Sequence, residues 1–196
     1  MTDDRNEFKN MISDCFLNFS EDPIHNINIL TAYLGETLDA AYALYNYMNR
    51  GLLCSLGRWQ TPPDFNPQDE PQGYICFDVI TNGSGTVKLI RDLDTTVYMN
   101  TDPNVKKYTL KTYIGIGITV DGKTVGSLCA VFVEDFEPTS EDLQLLRYAS
   151  RQGGCIAKYQ PEYVPPPTRI HEDHPRLRQE LPPHYPTPRV FDSIEG

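Results

Sequence analysis

Apolar residues recur at helical spacing at the start of the chain. Phe8, Met11, Ile12, Cys15, Phe16 and Phe19 fall on one face of an amphipathic helix over about 4–19. The run "SEDP" then offers Ser20 or Asp22 as a cap, with Pro23 at the first helical position, and Leu30, Leu34 and Leu38 continue a second helix at four-residue steps. From Ala41 the pattern shortens. "AYALYNYM" and "LLCSLGRW" are apolar runs on either side of Asn49-Arg50-Gly51, which predicts a hairpin. "QTPPDFNPQDEPQG" is a proline-rich loop, longer than most connections in a compact domain and therefore functional or mobile. "YICFDVIT" lacks clean alternation and reads as a short helix ended by "NGSG"; "VKLIRDL" reads as a short strand, and "TDPN" as a turn before Lys111.

The clearest pattern lies at 112–134. "TYIGIGITV" and "KTVGSLCAVFV" flank Asp121-Gly122, a pair suited to a two-residue hairpin because both positions need positive φ. In the second strand Val125, Ser127, Cys129, Val131 and Val133 point one way, and Leu128, Ala130 and Phe132 the other. Both sets are apolar or small, which predicts a central strand covered on both faces. Gly115, Gly117 and Gly126 leave room for a close approach by another element or a ligand. "PTSEDLQLL" then supplies Thr139 as a cap with Asp142 three residues on, and Leu143, Leu146, Ala149 and Gly153 make a helical stripe. Antiparallel strands with helices at both ends of the order predict an α+β domain, its terminal helices packed on one sheet face.

Composition places limits on this picture. Residues 157–196 hold nine of the 16 prolines. They carry no periodicity, so this tail is expected to be extended or disordered. Residues 1–156 carry 12 Lys/Arg against 21 Asp/Glu. An acidic body lacks the basic face that phosphate binding needs, which argues against a nucleic-acid partner. No apolar run approaches the roughly 18 residues of a membrane span, and the polar start "MTDDRNEFKN" does not read as a secretory signal. Five cysteines at irregular spacing, without a CxxC pair, suit reduced thiols in a cytoplasmic protein.

The segment "TYIGIGITVDGKTVGSLCAVFVEDFEPTSEDLQLLRYASRQ" resembles the C-terminal half of a GAF domain. Gly115, Gly126, Leu128, Phe136, Asp142, Leu143 and Ala149 occupy the places of that family's "yiGvPi", "vGsLcv" and "t-x-e-D-x-x-L-x-x-x-a" patterns, and "VKLIRDLD" is similar to its preceding strand. The likeness is greatest to GAF modules of bacterial sensor histidine kinases. It implies a six-stranded antiparallel sheet, GAF/PAS-like, with terminal helices on one face and a small-molecule pocket on the other, roofed by about 60–111. It divides the chain into an N-terminal helix (1–22), a sensory domain (23–157) and the Pro-rich tail (158–196). It further implies a non-enzymatic sensory module of two-component-type signal transduction. Such a module is expected to dimerise through its terminal helices and, with no kinase or cyclase motif in this sequence, to act on a signalling partner in trans or to be a fragment.

The candidate pocket set is Tyr74, Phe77, Arg91, Asp92, Tyr98, Tyr108 and Tyr113, aromatic side chains with a few polar groups. The tyrosines are equally well read as core or interface residues with satisfied hydroxyls. No metal or other cofactor is implied. Bilin is disfavoured because "PNVKKYTLK" has no cysteine, and haem because no histidine occurs between Asn26 and Ile170. Cys129, in mid-strand, reads as packing. Two alternatives accompany the sensor reading. One is a dimerisation module with no ligand. The other is a thiol-dependent free methionine sulfoxide reductase, a group that resembles GAF domains, for which Cys76 and Cys129 would be the thiol pair.

Overall fold

A computed structural model of the chain describes residues 19–83 and 85–158. The helix expected over 4–19 and nearly all of the Pro-rich tail lie outside the described residues. Helix α1 (Pro23–Thr37) starts where the sequence places it: the Asp22 carboxylate accepts from the Ile24 amide, and Pro23 opens the first turn. Strands β1 (Tyr42–Asn49) and β2 (Leu52–Trp59) form the first hairpin. The loop after β2 contains a short strand unannounced by its prolines, β3 (Gln68–Asp69), paired to Leu53 and Cys54. Then follow α2 (Ile75–Asn82), β4 (Lys88–Ile90), α3 (Tyr98–Thr101) and α4 (Pro103–Lys107). Strands β5 (Thr112–Val120) and β6 (Lys123–Phe132) precede the long helix α5 (Ser140–Lys158).

The six strands form one antiparallel sheet in the order β3-β2-β1-β6-β5-β4. Asp121 and Gly122 turn β5 into β6 with φ of 49° and 79°, the left-handed values a tight hairpin requires. Strand β6 lies between β1 and β5, and its side chains serve two separate cores. Leu128, Ala130 and Phe132 join Ile27, Leu30, Leu34, Leu145, Leu146 and Ala149 beneath α1 and α5. Cys129 and Val131 join Tyr42, Leu44, Ile75, Val79, Leu93 and Tyr113 on the opposite face. The two terminal helices of the described domain therefore share one face, as the α+β reading expects.

Local chemistry explains where elements stop. The Thr139 amide donates to the Asp142 carboxylate, while the Asp142 amide donates to the Thr139 hydroxyl, a reciprocal cap at the start of α5. The expected strand "VKLIRDL" is cut to Lys88–Ile90. Asp92 takes a left-handed φ of 50° and the Leu93 amide donates to the Lys111 carbonyl, which turns the chain off the sheet edge. The buried stripe of α5 centres on Leu145, Leu146, Ala149 and Gly153, with Leu143 only half-buried.

Leu128 is fully buried between the helices and the sheet. Leu128→Ala is expected to lower the unfolding free energy by about 3 kcal/mol in chemical denaturation. Val133→Ala, at a site half exposed, is expected to change it by less than about 0.5 kcal/mol.

Candidate functional site

The face of the sheet away from α1 and α5 is not uniformly apolar. Asn46 on β1 faces the same side as Tyr42 and Leu44, and it is opposite Ser55 on β2 and Ser127 on β6. The register slips by one residue between Tyr45 and Asn46, where β2 carries Leu56 as an extra residue. That bulge brings Ser55 beside Asn46, and the Ser55 hydroxyl donates to the Asn46 side-chain carbonyl at 2.7 Å. The Asn46 amide in turn points at Cys129 Sγ, 3.8 Å away. Ser127 is fully buried, and its hydroxyl has no hydrogen-bond partner. A polar row thus crosses the centre of the sheet.

Over Asn46 and Ser55 lies a small chamber of about 30 Å³. Its floor is Tyr42, Leu44, Asn46, Ser55, Tyr113, Cys129 and Val131; its cover is Phe65 to Pro67, Asp69, Tyr74 to Cys76, Asp102 and Asn104. The space holds one or two water-sized groups. A larger molecule enters only if the cover around Phe65 moves. Among the described residues that line it there is no lysine, arginine or histidine.

Asp102 fixes the cover. Its two carboxylate oxygens accept from the Ile75 amide at 3.2 Å and the Asn104 amide at 3.0 Å, so one side chain caps both α2 and α4. Burial raises its pKa to about 6, against the backbone hydrogen bonds that favour the carboxylate. Tyr113 is held above Gly115: a methyl group at that glycine would stand 2.3 Å from the Tyr113 hydroxyl, so only glycine leaves the ring its place. The hydroxyl reaches Cys76 Sγ at 3.8 Å, and Cys76 Sγ lies 3.6 Å from Cys129 Sγ. Contact with Cys76 together with burial holds the Cys129 pKa well above the ordinary thiol value. Burial does the same for the Tyr42 and Tyr113 hydroxyls, so all three stay protonated at neutral pH.

The residues singled out from the sequence separate into two groups. Tyr74 and Tyr113 line the chamber. Tyr108 stands behind it, its ring edge-on to Tyr42 at 6.1 Å and its hydroxyl on Asp64. Phe77 is half-buried on α2 outside the lining. Tyr98 donates to Asp78 at 2.7 Å and accepts from Lys88 at 3.1 Å, away from the chamber. Arg91 forms an exposed ion pair with Asp135, and Asp92 is an exposed turn residue. Sequence reading missed Tyr42, Asn46, Ser55 and Asp102. Asn46, a polar residue inside the apolar run "YALYNYM", was the available signal.

Comparison with known proteins matches this architecture. No protein-family model matches the sequence, and no curated protein matches it. Solved structures do. The A. aeolicus NLH2 GAF domain in an inactive state superposes with a TM-score of 0.61 at 12% identity, over 79% of this chain and 97% of that one. The chain has a GAF-type fold. A methyl-accepting chemotaxis protein, residues 122 to 287, gives 0.59 at 16% identity over 76% of this chain and 94% of that one. The free methionine-R-sulfoxide reductase of Neisseria meningitidis, in complex with its substrate, gives 0.61 at 14% identity over 77% and 86%. Identities this low carry the GAF fold alone. Among the described residues no helix is long and apolar enough to cross a membrane.

Asp102 also makes the stability of this GAF-type fold depend on pH. Its folded pKa of about 6 lies above the ordinary 3.8, so the folded state holds a proton that the unfolded state has lost between those values. The contribution is full below about pH 4 and disappears as pH rises through about 6. A rise from 3.8 to about 6 corresponds to on the order of 3 kcal/mol. Unfolding free energies of wild type and Asp102→Asn, measured from pH 4 to 7, should therefore diverge. The wild type loses stability relative to the variant as pH rises, and a constant difference would return Asp102 to ordinary behaviour.

Proposed function

We propose that this GAF-type domain is a non-enzymatic sensory module that binds a small, uncharged, hydrogen-bonding molecule and regulates a signalling partner. The observation that carries this reading is the polar pair Ser55–Asn46 in the chamber floor, continued across the sheet by Ser127. Buried polar side chains stabilise a fold less than apolar ones of equal size, so stability alone gives no reason for an Asn and two Ser at the centre of a sheet face. The absence of a cation from the lining and the presence of buried Asp102 disfavour phosphates, nucleotides and carboxylates.

A route to an output is built into the same strands. The Ser150 hydroxyl on α5 donates to the Gly117 carbonyl of β5 at 2.7 Å, and Gly117 pairs with Ser127. A ligand that shifts Asn46, and with it Ser127 on the neighbouring strand, therefore acts close to the C-terminal helix. On this reading the terminal helices carry the signal, as a homodimer or through a partner in trans. A second reading is favoured by the Cys76–Cys129 contact: thiol-dependent reduction of free methionine sulfoxide, as the Neisseria relative's name states for that protein. Failure to turn over free methionine sulfoxide with a dithiol reductant would remove it.

Thermal-shift titration separates these possibilities. Small neutral amides, alcohols and amino-acid-sized molecules are expected to include one that raises the apparent stability saturably, by about 2.7 kcal/mol at a hundredfold excess over Kd. Asn46→Ala should abolish that shift, and nucleotides and inorganic phosphate should give none. A response to nucleotides that survives Asn46→Ala would sink the proposed site.

A further inference from the structure

Cys76 and Cys129 come from different layers of the domain. Cys76 is the second residue of α2 in the cover, and Cys129 lies at the middle of β6, the central strand. Their sulfurs are 3.6 Å apart, both are free thiols, and both line the chamber. A disulfide needs the sulfurs at about 2.05 Å, a closure of about 1.5 Å that side-chain rotation and a small shift of α2 can supply. Tyr113 and Asn46 contact one sulfur each. No other pair of described cysteines makes a sulfur–sulfur contact of this kind: Cys54 is on β2, and Cys155 is exposed on α5.

We propose that Cys76 and Cys129 are a reversible oxidation site, a dithiol that hydrogen peroxide converts to a disulfide bolting α2 to β6. Chamber size fits the oxidant, since a peroxide molecule is little larger than the one or two water-sized groups the space admits. Cys76, 7% exposed, is the attacking sulfur, and Cys129, fully buried, resolves it. The Cys76 sulfur attacks one peroxide oxygen, the O–O bond breaks, and the departing hydroxide leaves as water with the thiol proton. The resulting sulfenic acid is then attacked by Cys129 sulfur. The S–O bond breaks, the S–S bond forms, and the hydroxyl leaves as a second water with the Cys129 proton. Two thiols lose two electrons and one peroxide gains them. Full burial of Cys129 disfavours its thiolate, which makes the second step the slower one.

The consequence is mechanical. With α2 tied to the central strand, the cover loses the freedom that admission of a larger molecule demands. The oxidation does not rest on the sensor reading, because it is measured on ligand-free protein, and turnover of free methionine sulfoxide, which only the reductase reading requires, tells it apart from that one.

The test is peroxide treatment of the full chain, followed by alkylation, proteolysis and mass spectrometry, for wild type and for a variant with Cys15, Cys54 and Cys155 replaced by Ser. Expected is a peptide pair joined through Cys76 and Cys129, lighter by two hydrogens and restored by dithiothreitol. Amide exchange across Ile75–Asn82 should slow by about tenfold on oxidation. Sulfinic or sulfonic acid at Cys76 without that cross-link, cross-links confined to Cys155, or two thiols that persist would each overturn the proposal. Wild type alone decides the question if the triple variant does not fold.

Discussion

Strand β6 is buried on both faces, and the other elements take their positions from that constraint. Leu128, Cys129 and Ala130 are successive residues with no exposed surface, yet alternation sends them to opposite cores. Strands β1 and β5 saturate the backbone of β6 on both edges. A helix layer must then cover Leu128 and Ala130, and a second layer must cover Cys129 and Val131. Helices α1 and α5 supply the first from the chain ends. Short elements between β2 and β5 supply the second.

That difference between the layers separates rigid from adaptable parts. The helix layer is a continuous apolar contact, closed by Leu145, Leu146 and Ala149. The other layer is assembled from α2, α4 and the 60–74 loop, and Asp102 joins two of these by hydrogen bonds to Ile75 and Asn104. A cover of short elements, packed through Ile75, Val79 and Val105 and joined at Asp102, is easier to displace than a pair of long helices, and displacement is what a chamber of about 30 Å³ requires of any larger guest.

The fold was legible because its strongest signals are local. Asp121-Gly122, the Thr139–Asp142 cap and the two-faced pattern of β6 each specify structure within a few residues, and the structure follows them. The chamber was legible only in outline. Tyr74 and Tyr113 line it, but Arg91 and Asp92 lie off it, because a left-handed turn at Asp92 takes the chain away from the sheet. Asn46 and Ser55 depend on a bulge, and a one-residue slip in register leaves no mark in composition. Asp102 reads as an ordinary turn residue before Pro103. Its role depends on the Ile75 amide 27 positions away, a tertiary contact. The Cys76–Cys129 approach is likewise set by how α2 lies on the sheet, and burial preference alone assigns Cys129 to packing.

Charge sets what such a chamber selects. An anion entering it meets buried Asp102 and no cation, and in a low-dielectric site that repulsion is screened far less than at the surface. A cation meets a carboxyl already committed to two backbone amides, so it would have to disrupt the caps of α2 and α4 to gain a full ion pair. A neutral donor–acceptor molecule faces neither cost. It can hydrogen-bond Asn46 and Ser55, which line the chamber, and leave Asp102 on its amides. On the proposed reading, selection for neutrality follows from what is already bonded in the site as much as from what is free in it.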